Sequence, residues 1–135
     1  MLNKIYVDTN IIVDICDIKR PAHKKSLDKI YQYLESGELF INSDSLSTLF
    51  YILRNSAKLS FKEAIERIYF IHSIFNVVAV DEKISLKALE LCSKEICTDY
   101  EDALQYVCAK KIGADVIVTN DKKFVSKDIK IVTTV

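Results

Sequence analysis

Short uninterrupted apolar runs alternate with longer stretches in which apolar residues recur at helical spacing. Ile5 to Val7, Leu39 to Ile41, Val77 to Val80, Val116 to Val118 and Ile129 to Val132 are rich in β-branched residues and bounded by polar or turn residues. That is the pattern of strands buried on both faces. Asn10 to Asp17 reads as a helix opening that Pro21 interrupts. From His23 to Glu35, Leu27, Ile30, Tyr31 and Leu34 share one face, and Gly37 marks a stop. Ser43 or Asp44 is placed to cap a helix carrying Leu46, Leu49, Phe50 and Leu53. Ser60 and Glu63 make a capping box for Phe61 to Phe75, and Asp81 caps Glu82 to Lys94. Thr98 and Glu101 predict a second box, opening an amphipathic helix that runs to about Lys111 and ends at Gly113. Asp121 to Ser126 has room for a helical turn. Strands alternating with helices predict an α/β fold: a five-stranded parallel sheet flanked by helices in three layers. In such sheets the functional crevice lies beyond the carboxyl ends of the strands.

Length and composition narrow the class. A chain of 135 residues predicts one domain spanning 1–135, and its 50% apolar content supports a real core. A chain of this size buries roughly two thirds of its unfolded surface. Two Gly and one Pro leave little room for linkers. No apolar run approaches the ~20 residues that span a bilayer. Met1-Leu2-Asn3-Lys4-Ile5 runs straight into a strand without a signal-peptide pattern, so a cytoplasmic protein with no membrane partner is expected. Cys16, Cys92, Cys97 and Cys108 form no Cys-x-x-Cys pair, which argues against zinc and for reduced thiols. Basic and acidic residues balance at 19 each, so no global attraction to nucleic acid follows. The charges are nonetheless uneven: Lys19, Arg20, Lys24, Lys25 and Lys29 cluster after the first strand, and Lys122, Lys123, Lys127 and Lys130 after Asp121.

The candidate chemistry is acidic. Asp8 ends the first strand, Asp121 lies just beyond the fourth, and Asp99 and Asp102 open a helix at i, i+3 spacing. Asp102 is expected just past the first turn, where the helix dipole helps less. Two carboxylates ~4 Å apart repel by about 4 kcal/mol at an effective dielectric near 20. Acids brought together therefore either take up protons or bind a cation, and hard oxygen donors favour Mg²⁺ or Mn²⁺. Thr9, Asn10, Thr119 and Asn120 offer neutral groups to orient the carboxylates or a water, besides their ordinary turn and cap roles. His23 and His72 stand alone on helices, and no Ser/His/Asp or Cys/His order suggests covalent catalysis. Tyr100 is the aromatic nearest the acids and could stack a base. A phosphatase with Asp-x-Asp after the first strand does not fit Asp8-Thr9-Asn10, nor does a phosphoryl receiver, whose acidic pair is missing there.

Three pieces together resemble the PIN-domain family, the fold of VapC-type toxin ribonucleases: Val7-Asp8-Thr9-Asn10, Asp99-Tyr100-Glu101-Asp102-Ala103-Leu104, and Gly113 through Asp121. Their order and spacing cover nearly the whole chain. The resemblance implies a Mg²⁺- or Mn²⁺-dependent endoribonuclease, a homodimer, and a small antitoxin partner encoded alongside. It implies Asp8, Asp102 and Asp121 as metal ligands and Asp99 as a further acid of the site. One position departs from the family. Its usual acid on the helix after the second strand falls at Thr48, with Asp44 one turn earlier. That substitution supports an alternative, a PIN-like module that binds RNA or protein without cutting.

Overall fold

The computed structural model describes residues 4–135, so the reading of Met1-Leu2-Asn3 lies outside the described residues. Among the described residues, strands β1 (Lys4–Val7), β2 (Glu38–Asn42), β3 (Asn76–Val78), β4 (Val116–Val118) and β5 (Lys130–Val132) form one sheet. Their order is β3-β2-β1-β4-β5, and every pairing is parallel. The helices are α1 (Thr9–Cys16), α2 (His23–Ser36), α3 (Ser43–Asn55), α4 (Phe61–Ile74), α5 (Glu82–Ser93) and α6 (Tyr100–Ile112).

The β-branched runs behave as buried parallel strands should. Ile5 and Val7 of β1, with Val116 and Val118 of β4, pack into a core shared with α1 to α4. Tyr6 and Ile117 point to the opposite face and pack with α5 and α6. All five of Ile5, Tyr6, Val7, Ile117 and Val118 are fully buried, each worth roughly 1.5–3 kcal/mol on transfer scales. Helices thus cover both faces, giving the three expected layers.

Several boundaries differ from the sequence reading, each for a local reason. α3 is capped by Asn42 rather than Ser43 or Asp44, because Asn42 Oδ1 accepts the Ser45 amide at 2.9 Å. The Ser43 hydroxyl instead accepts the Val80 amide at 3.0 Å. β3 accordingly starts at Asn76 and stops at Val78 instead of running to Val80. The box expected at Thr98 does not form. Asp99 is the cap, its Oδ1 accepting the Asp102 amide at 3.0 Å, so Asp102 lies inside the first turn of α6 rather than past it. α6 is also less amphipathic than predicted, since Ala103 through Ala109 are all buried between the sheet and α5. Its stop is as expected: Gly113 takes a left-handed φ of 69° that a Cβ would strain. Residues 121–126 form a turn, not a helix. The capping box of Ser60 with Glu63 and the cap at Asp81 are present.

Candidate functional site

β1 sits centrally, with β2 on one side and β4 on the other, so the chain turns away to both sides at its carboxyl end. That is where Asp8 stands. Its amide donates to Val118 O at 2.9 Å, which sets the residue against the end of β4. It also caps α1 through the Asn10 amide, at 3.4 Å. The side chain is nearly fully buried and held on both oxygens. Gln105 Nε2 donates to Oδ1 at 2.8 Å and Thr119 Oγ1 to Oδ2 at 2.6 Å. Thr119 Oγ1 in turn accepts the Asp121 amide at 3.0 Å, tying the fourth-strand acid to the first. Asp121 Oδ1 closes its own turn by accepting the Lys123 amide at 2.9 Å.

α6 runs against the strands, so its amino end reaches the same edge. Asp99, Asp102 and Asp121 line one cavity of about 250 Å³, together with Cys97 and Lys123. Burial raises the Asp102 carboxyl to about 7, and the charges of Asp8, Asp99 and Asp121 add to the effect. The dipole of α6 favours a carboxylate there, but it does not outweigh three acidic neighbours. Asp99 itself is exposed and spent on the helix cap.

The neutral candidates divide into two groups. Thr9 and Thr119 belong to the buried floor. Thr9 Oγ1 lies 2.6 Å from Ser45 Oγ of α3, and its amide donates to Gln105 Oε1 at 3.0 Å. Asn10 and Asn120 instead line a broader groove on the far side of Asp121, with Asp14 and Arg20. Asn120 is taken up by Thr134: its Nδ2 donates to Thr134 Oγ1 at 2.7 Å, and its Oδ1 accepts the Thr134 amide at 2.8 Å. Asp44 is exposed in the first turn of α3, and Thr48 is half-buried one turn later on the same stripe. The basic clusters contribute single members: Arg20, bound to Asp14 at 2.7 Å, and Lys123 both border the acids.

Two residues of the site escaped the sequence reading. Gln105 bonds Asp8 and Thr9 while only 1% exposed. Its signal was available: it is an uncharged polar residue inside the apolar run Ala103 to Ala109, where an amide survives only with partners. Glu101 is the second. It keeps much of its surface in solvent. Partial burial of its carboxyl, then Asp8, Asp99 and Asp44, raises its pKa against a hydrogen bond with the Thr9 side chain.

Every polar side-chain atom buried among the described residues has a partner. Among the same residues no three or more His, Cys, Asp or Glu are gathered closely enough to hold a metal ion as they stand. The donor chemistry still suits a hard divalent cation, because the converging groups are carboxylate oxygens and neither histidine lies among them.

The family model for the PIN domain matches residues 5–130. The chain is 38% identical over 133 residues to Ribonuclease VapC1 of Aquifex aeolicus (strain VF5), covering 97% of this chain and 90% of that protein. Its fold is similar to that of VapBC from Salmonella typhimurium, solved bound to DNA, at a TM-score of 0.74 and 20% identity over 99% of this chain and 100% of that one. It is similar also to Mycobacterium tuberculosis VapC20, a toxin that cleaves the sarcin-ricin loop, at a TM-score of 0.72 and 15% identity, covering 89% and 92% of the two chains.

Proposed function

Because this chain belongs to the PIN-domain family, and within it to the VapC type, we propose that it is a toxin endoribonuclease that hydrolyses RNA phosphodiester bonds with Mg²⁺ or Mn²⁺. What supports the reading is that Asp102 and Asp121 line one cavity at the carboxyl edge of the sheet, with Asp8 near enough to add to the raising of the Asp102 carboxyl. In this reading those three carboxylates hold the cation, and Asp99 fixes the turn that presents Asp102. A divalent cation held by these residues would supply polarisation of a phosphoryl oxygen and a lowered pKa for a bound water. Gln105 and Thr119 keep the Asp8 carboxylate aimed. Lys123 and Arg20, on the rims of the two cavities, neutralise backbone phosphates on either side of Asp121.

The partner of such a toxin is a small antitoxin encoded alongside, as suggested by relatives solved as VapBC complexes. We infer a homodimer built from one domain per chain, 1–135. We also infer action in the cytoplasm, where RNA and four unpaired thiols both belong. No helix among the described residues is long and apolar enough to cross a membrane.

The test is cleavage of a labelled RNA pool by purified, partner-free protein in Mg²⁺, Mn²⁺ or EDTA. Cutting in either metal and none in EDTA is expected. A folded protein that cuts in neither would move the chain to the non-catalytic module that Thr48 favours.

A dependence on pH follows from Asp102. Its folded pKa of about 7 lies above the ordinary value of 3.8. The stability it contributes is therefore complete below about pH 4 and is lost as pH rises through 7. In EDTA the melting temperature should fall between pH 5 and pH 8, and Mn²⁺ should restore it at pH 8. A metal-free melting temperature that stays flat, with no response to Mn²⁺, would show that the acids do not repel one another as described.

A further inference from the structure

We propose that Glu101 supplies the carboxylate on the α3 side of the site, in place of the acid that Thr48 lacks. This rests on the metal-dependent reading above.

The argument is one of helix geometry. Gln105 lies one turn beyond Glu101 on the same stripe of α6. It touches Asp8 Oδ1 at 2.8 Å, the Thr9 amide at 3.0 Å and Thr9 Oγ1 at 3.3 Å. Thr9 Oγ1 contacts Ser45 Oγ at 2.6 Å, and Ser45 is three residues before Thr48 on α3. The 101/105 stripe therefore faces the seam where α1 and α3 begin. Four residues of helical rise, about 6 Å, carry Glu101 from the buried floor to the open edge, level with the acids. Asp102 is rotated about 100° from Glu101 and faces the Asp121 cavity instead. Neighbouring acids of one helical turn thus approach Asp8 from opposite sides, Asp102 from β4 and Glu101 from α3.

Thr48 offers only a hydroxyl, and Asp44 lies one turn before it in the first turn of α3. Glu101 has the charge, and its extra methylene gives it the reach to act across that gap. A donor set drawn from α6 on both sides would let α3 lose its acid without loss of the cation.

The experiment is Mn²⁺ binding by isothermal titration and by electron paramagnetic resonance, without RNA, on wild type, Glu101→Gln, Asp102→Asn and the double variant Glu101→Gln with Thr48→Glu. Glu101→Gln should weaken binding roughly tenfold or more, about 1.4 kcal/mol per decade, with an unchanged circular dichroism spectrum. Restoring an acid at 48 should recover most of that loss. Binding in Glu101→Gln equal to wild type, with Asp102→Asn impaired, would overturn the role of Glu101 and leave the metal site standing. No Mn²⁺ binding by wild type would overturn the metal-dependent reading and this inference together.

Discussion

Replacing Asp102 with Asn is expected to lower RNA cleavage by about three orders of magnitude while leaving the fold intact. Three decades correspond to about 4 kcal/mol of transition-state stabilisation at 1.36 kcal/mol each, within what one lost metal ligand removes. The substitution is nearly isosteric, and the Asp102 amide keeps its bond to Asp99 Oδ1, so α6 retains its cap. The stability effect should carry the opposite sign. An amide in place of the carboxyl ends the repulsion with Asp8, Asp99 and Asp121. In EDTA at pH 8 the variant should therefore melt above wild type, with the gap closing toward pH 5. Single-turnover cleavage and parallel melting curves measure both. An Asp102→Asn protein that cuts within tenfold of wild type would remove Asp102 from the site.

Gln105→Leu should be the most damaging change outside the acids. Leucine preserves most of the volume but strips the partner from Asp8 Oδ1 and from the Thr9 amide, both buried. Removing that partner from two such groups costs roughly 2–6 kcal/mol at about 1–3 kcal/mol per group. Cleavage should also fall roughly 10- to 100-fold, the usual penalty for losing the group that aims a metal ligand. Gln105→Glu sharpens the test. It has the same shape, but a carboxylate cannot donate to Asp8 and adds a like charge beside it. Both variants should lose stability in urea titration and activity in the cleavage assay. Wild-type behaviour in both would mean that Thr119 and the Asn10 amide suffice to hold Asp8.

The sheet and the place of the acids were legible because the physics behind them is periodic. Continuous β-branched runs such as Ile5 to Val7 and Val116 to Val118 have few alternatives to a doubly covered parallel strand. Acids at strand ends then fall at one edge by topology alone. The caps were less legible, since Asn42 against Ser43 and Asp99 against Thr98 are neighbours of nearly equal propensity, and the winner is set by where the preceding strand releases the chain. Gln105 and Glu101 were hidden for another reason. Their importance lies in neighbours more than 90 residues away in sequence, Thr9 and Asp8, and no local pattern carries that information.

The pairing of β1 with β4 joins Ile5 to Val116 and Val7 to Val118, at opposite ends of the described chain. Contacts of such sequence separation form late, after the loop-closure entropy between them has been overcome. On a ribosome the consequence is one of timing. Asp8 is made well before Gln105 and Thr119, so the hydrogen bonds that hold it wait for synthesis of the intervening chain. The arrangement around Asp8 is therefore completed only once α6 and the end of β4 have both been made.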